Sequence, residues 1–105
     1  MPFLDLHELP LRELFGCKAH VVHSQSMTFV HWHFEPGQVI APHAHPHEQV
    51  ATVVEGELAL TVGTDTRRLG PGAVAIIPPN ASHAARALSA CYVIDAFHPV
   101  REDYR

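Results

Sequence analysis

The sequence predicts an all-β barrel, and three observations carry that prediction. From residue 18 onward the chain is a succession of short apolar-alternating runs. Glycine and proline turn signals separate these runs at short, even spacing. Many short strands so punctuated are the signature of a β-sandwich or small barrel, because each strand buries one face and must turn back to find a partner. Lastly, histidines recur on alternate residues, His43 and His45, as side chains sharing one strand face do.

Taken in order, residues 5–15 read as a short helical turn. Asp5 would cap it, Leu6, Leu9, Leu14 and Phe15 would supply apolar contacts, and Pro10 would limit its length. Strands are expected at 19–23, 27–35, 38–41, 49–54, 57–62, 66–69, 73–77, 82–87 and 91–97. The turns between them are Pro36-Gly37, Glu55-Gly56, Gly63-Thr64-Asp65, Gly70-Pro71-Gly72 and Pro79-Asn80. The polar tail 101–105 would be ordered only by docking on the barrel. There is no internal repeat or linker, so residues 1–105 are expected to form one domain.

Composition excludes some functions. A formal net charge of -4, with seven Lys and Arg scattered along 105 residues, leaves no basic stripe for nucleic acid. No apolar run approaches the roughly 18 residues that span a bilayer. The N-terminus has an early acid and no basic flank, so it does not read as a signal peptide, and a cytoplasmic location is expected. Cys17 and Cys91 lack CxxC spacing and are expected to be unpaired, with Cys91 in the core.

Ten histidines in so small a chain suggest metal chemistry, or that several serve merely as polar wall residues. His43 and His45 can aim two imidazoles at one point, Gln49 has the same parity, and His83 can close the set from a neighbouring strand. That is a coordination shell for one divalent transition metal: nickel, iron, zinc, manganese or cobalt. Glu48 is the rival to Gln49, because a one-residue bulge would exchange them. His47 follows Pro46 and is expected beside the shell or at the surface. His31 and His33 alternate with Val30, Trp32 and Phe34, whose face is the natural core, so both histidines are expected outward. His7, His20, His23 and His98 read as surface, and Arg86 faces away from His83.

The spacing Gly37-x5-His43-x-His45-x3-Gln49-x6-Gly56 resembles the first cupin motif, and Gly72-x5-Pro78-x-Asn80-x2-His83 the second. The departures are Gln49 for the usual Glu, Asn80 for Gly and Ala87 for Asn. The resemblance implies a cupin double-stranded β-helix, a small jelly-roll barrel, commonly a homodimer. The strings His43-Ala-His-Pro-His-Glu-Gln-Val50 and Asp95-Ala-Phe97-His-Pro-Val-Arg101 are similar to the KdgF-type pectin-degradation cupins. That likeness implies conversion of 4,5-unsaturated monouronates, released from pectin or alginate, to linear 5-keto-4-deoxyuronate.

The residues suit that chemistry. A shell of three imidazoles and an amide leaves a divalent ion with its full charge, which favours an anionic sugar and Lewis-acid work. Cys91, Val93, Asp95 and Phe97 share one strand face, and a carboxylate on an inward face is costly unless paired or functional. Asp95 is the expected proton shuttle, Phe97 the wall against the sugar, and Arg101 the partner of a carboxylate or hydroxyl. The alternatives are an iron-dependent cupin dioxygenase, or a cupin that binds a sugar or metal without turnover.

Overall fold

The computed structural model describes residues 2–105. Ten strands follow in chain order: β1 Arg12–Leu14, β2 Cys17–His23, β3 Thr28–Phe34, β4 Val39–His43, β5 Glu48–Glu55, β6 Leu58–Val62, β7 Asp65–Leu69, β8 Val74–Ile77, β9 His83–Ala87 and β10 Cys91–His98. Single 3-10 turns, Leu6–Glu8 and Glu102–Tyr104, flank them. A six-stranded sheet in the order β1-β2-β3-β10-β5-β8 faces a four-stranded sheet in the order β4-β9-β6-β7, with every pairing antiparallel. This is the expected all-β jelly roll, and no helix among the described residues is long and apolar enough to cross a membrane.

The pleat puts Val30, Trp32 and Phe34 of β3, Ala51 and Val53 of β5, and Cys91, Val93 and Phe97 of β10 on the inner face, all buried. Ile40, Leu58 and Leu60 close the core from the opposite sheet. Both cysteines are free and buried. Gly56 sits at φ +79 where β5 passes into β6, and a Cβ there would lie 2.0 Å from the Ala90 carbonyl oxygen. Only a residue without a side chain satisfies both conditions.

The N-terminal expectation needs correcting. Asp5 does cap a turn, its carboxylate accepting from the His7 amide at 2.9 Å, but the helix ends at Glu8. Residues 12–14 form β1, which joins β2 through the two-residue turn Phe15-Gly16, with Leu14 opposite Cys17. Both turn residues have positive φ, 53° and 76°, as the right-handed twist of a tight hairpin demands. Apolar residues at near-helical spacing imitated a helix, while sheet pairing decided the outcome.

The tail docks on the barrel. Tyr104 and Arg101 are buried at 5% and 4% exposure. The Arg101 amide donates to Thr28 Oγ1 at 2.8 Å, and that hydroxyl meets His23 Nδ1 at 2.8 Å. His23 Nε2 reaches the Tyr104 carbonyl at 3.3 Å, and the Arg12 guanidinium donates to the same oxygen. His23, read as surface from its spacing, therefore helps to tie the C-terminus down.

Candidate metal centre and adjoining cavity

His43 reaches the barrel interior through a bulge. Along the pairing of β4 with β9, Ile40 opposes Ala85 but His43 opposes His83, so β4 carries one extra residue between them. Without it, Ile40 and His43 would face opposite sides. Pro42 lies within this irregular stretch and has no N–H to lose from the ladder. His45 departs from the sequence expectation, because it lies in the loop between β4 and β5 rather than on a strand. Its main chain is held by Asn80, whose amide donates to the His45 carbonyl at 2.8 Å from a backbone at φ 66. Asparagine tolerates that left-handed conformation well.

The ligand-capable nitrogens of His43, His45 and His83 lie within 4.8 Å of one another. Each ring has its Nδ1 on a main-chain oxygen: Ala41 at 2.9 Å, His47 at 3.0 Å and Ala81 at 2.9 Å respectively. A carbonyl can only accept, so each Nδ1 carries the proton and each Nε2 keeps its lone pair. His83 Nε2 is buried with no hydrogen-bond partner. Gln49 is buried, with Oε1 3.0 Å from His45 Nε2. Two lone-pair atoms at that distance are favourable only beside a cation. Three imidazoles held in the same tautomer, an amide oxygen and one orphaned nitrogen fit a divalent metal ion.

Gln49 faces inward and Glu48 outward. The ladder of β5 with β10 runs unbroken from Glu48 opposite His98 and Gln49 opposite Phe97 to Thr52 opposite Ile94, and its bulge falls at Val54. His47 contributes its carbonyl to the His45 ring rather than its own imidazole.

Asp95 and Arg101 share the wall beside this cluster. Asp95 Oδ2 accepts from Trp32 Nε1 at 2.8 Å, while Oδ1 is buried without a partner. Burial pushes its pKa up to about 6, against the opposing pull of Trp32, Gln49 and Arg101. Burial likewise holds the His45 ring down to about 4, with Arg101 adding to the effect, and lowers His83. Both imidazoles therefore stay neutral at neutral pH, the state that binds metal. The Arg101 guanidinium packs in the corner of two nearly perpendicular rings, 4.9 Å from the Phe97 centroid and 4.1 Å from that of Tyr104. Asp103 takes Nε and Nη2 at 3.0 and 2.7 Å, leaving Nη1 buried and unpartnered.

All seven residues singled out from the sequence are thus brought to one end of the barrel. Its cavity is lined by His43, Gln49, His83, Asp95 and Phe97 together with Trp32, Phe15 and Tyr104. The cavity volume is about 30 Å³. That is room for an ion and a water or two, at ~10–15 Å³ per water-sized sphere. Trp32, Phe15 and Tyr104 were missed as lining residues. Trp32 reads as plain core, and no local signal places Phe15 or Tyr104 at a barrel mouth. His31 and His33 do face outward, His31 Nδ1 meeting the Tyr92 hydroxyl at 2.6 Å and His33 Nε2 meeting His20 Nδ1 at 3.4 Å.

An antiparallel jelly roll holding three convergent histidines is the architecture of a cupin. The Cupin domain family matches residues 30–97, and the chain belongs to that family. Over its whole length it is similar to KdgF from Halomonas sp., with 31% identity, coverage of 100% of this chain and 99% of that one, and a TM-score of 0.92. An RmlC-like cupin from Shewanella frigidimarina NCIMB 400 is 29% identical, with 100% and 96% coverage and a TM-score of 0.94. A segment of 52 residues is 44% identical to an H2HPP isomerase of Bacillus subtilis, matching 49% of this chain and 22% of that protein. The chain thus matches about a fifth of the length of this curated relative.

Proposed function

We propose that this cupin is a metal-dependent isomerase that opens 4,5-unsaturated monouronates to linear 5-keto-4-deoxyuronate. The observation that carries the reading is the convergence of Asp95 and Phe97 with His43, His83 and Gln49 on one cavity, with His45 in the histidine cluster and Arg101 close enough to act on both His45 and Asp95. The full-length likeness to KdgF supports the substrate class, and the partial likeness to an H2HPP isomerase supports the reaction class.

His43, His45, His83 and Gln49 would hold one divalent metal. When bound, it supplies Lewis acidity toward the substrate's carboxylate and ring oxygen. The chain's own groups do the rest. Asp95, its Oδ1 free of any hydrogen bond, takes the proton of the C1 hydroxyl. The C1–O5 bond breaks, C1 becomes an aldehyde, and the electron pair passes to O5 as an enolate. The same carboxyl returns the proton to C4, giving the C5 ketone and no net loss of atoms. Arg101, with Nη1 unpaired, faces the substrate carboxylate, and the nearly perpendicular rings of Phe97 and Tyr104 form a corner that keeps its guanidinium from swinging away. A general acid–base group of this kind contributes about 10²–10⁴-fold.

The reading includes a homodimer in the cytoplasm, in which Val74 and Ile76, exposed on β8, offer apolar area to a second copy. Light scattering measures the mass directly.

The experiment follows the loss of ultraviolet absorbance of unsaturated galacturonate on addition of metal-loaded protein. Turnover above the spontaneous decay, lost by at least about 10²-fold in Asp95→Asn, is expected. Decay at the uncatalysed rate rules the function out. Oxygen uptake with iron-loaded protein would instead favour a dioxygenase, and uronate binding without turnover a binding module.

A further inference from the structure

Phe15 stands in a conformation that its side chain does not favour. It is the first residue of the two-residue turn between β1 and β2, at φ 53, where asparagine, aspartate or glycine is the usual occupant. The Cβ of an L-residue comes too close to the following carbonyl oxygen there, so a phenylalanine is strained. Little is returned to the fold, since the residue is 55% exposed. A strained, water-facing aromatic is an arrangement found where a ligand is contacted.

Its position says which ligand. Phe15 lines the mouth of the metal-site cavity, with its ring centroid 5.7 Å from that of His43 at an interplanar angle of 30°. That cavity, about 30 Å³ in volume, is too small to take in a whole sugar ring. A ring ligand can send in only a carboxylate or ring-oxygen end, and its body must lie in the mouth. The apolar C–H face of a pyranose matches the electron-rich face of a benzene ring.

We propose that Phe15 is the aromatic platform on which the body of a uronate ring lies, held by the hairpin turn at the barrel mouth. The proposal deepens the functional reading above, since it takes the sugar acid from there. It assigns the turn a role in substrate affinity rather than in chemistry. The hairpin trades local stability for a contact made only when ligand is present.

The test uses metal-loaded protein and two readouts. Binding of galacturonate, a saturated and unreactive uronate, is measured by calorimetry, and turnover of the unsaturated sugar by absorbance. Phe15→Asn places a favoured residue in the turn. It is expected to unfold at an equal or higher temperature and to retain its metal. It should also bind galacturonate about three- to tenfold more weakly, the scale of one aromatic contact. KM should rise with kcat little changed, and Phe15→Tyr should restore the affinity. Undiminished galacturonate binding by a metal-loaded Phe15→Asn overturns the proposal, as does failure of Phe15→Tyr to recover it. Loss of metal from Phe15→Asn also overturns it, because Phe15 would then merely shield His43. If the wild type binds galacturonate through Phe15 but turns nothing over, the platform stands and the isomerase reading falls.

Discussion

Replacing Thr28 by valine tests whether the C-terminal strap is held by one hydrogen-bond relay. Thr28 is fully buried on β3, and valine keeps its shape while removing the hydroxyl. With His23 Nε2–H donating to the Tyr104 carbonyl, Nδ1 must accept from the Thr28 hydroxyl, whose oxygen in turn accepts from the Arg101 amide. The substitution leaves the Arg101 N–H buried without an acceptor, at about 1–3 kcal/mol, and removes the partly exposed bond to His23, at about 0.5–1.5 kcal/mol. No cavity opens, so the total is about 2–4 kcal/mol. At roughly 4 °C or more per kcal/mol for a chain of this size, the midpoint should fall by about 8 °C or more. The assay is thermal and urea unfolding of wild type, Thr28→Val and Thr28→Ser. The serine variant keeps the relay and should lose only about 1 kcal/mol for a methyl group. A stability of Thr28→Val within about 0.5 kcal/mol of wild type would refute the relay. Because the strap carries Arg101 and Tyr104, KM for an anionic sugar should rise in the same variant.

Three further expectations follow from the same geometry. Gly56→Ala combines a positive φ with a Cβ 2.0 Å from a main-chain oxygen, so it should cost more than about 3 kcal/mol and yield little soluble protein. Chelation should lower the unfolding temperature, and restoring metal at about 100 times its dissociation constant should return about 2.7 kcal/mol; an unmoved midpoint would count against a metal held by the fold. Burial, followed by the neighbouring histidines, lowers the pKa of His31 and His33 below the ordinary 6.5. The unfolded chain therefore takes up protons first, so stability present above pH 6.5 is lost as pH falls through and below that value. In metal-free protein the double variant His31→Gln/His33→Gln should lose less stability than wild type between pH 7.5 and 5; parallel slopes would contradict this.

Much of the site's arrangement was legible because two signals in it are local. Glycines fix turns, and strand parity fixes faces, so Gln49 on β5 and Asp95 and Phe97 on β10 could be assigned inward before any register was known. His43 and His45 illustrate the limit. Alternation brought them together on paper, but in the molecule a bulge turns His43 inward and a loop carries His45. The same destination is reached by a different route, since a bulge inverts parity without leaving a mark that parity can detect. Residues 12–16 show the opposite failure, where spacing suggested a helix and pairing with β2 made a hairpin.

By itself, then, the sequence determined the strand succession, the turns and the choice of Gln49 and three histidines as metal-capable groups. These depend on contacts within a few residues and on periodicity. Only the tertiary structure decided that Trp32 holds Asp95, that Tyr104 and Phe97 clasp Arg101, and that Phe15 stands at the cavity mouth. Trp32 and Asp95 are 63 positions apart, and Arg12 and Tyr104, which help to dock the tail that carries Arg101, are 92 apart. No local preference encodes them: they exist because burying both sheet faces brings the two ends of the chain to the same rim.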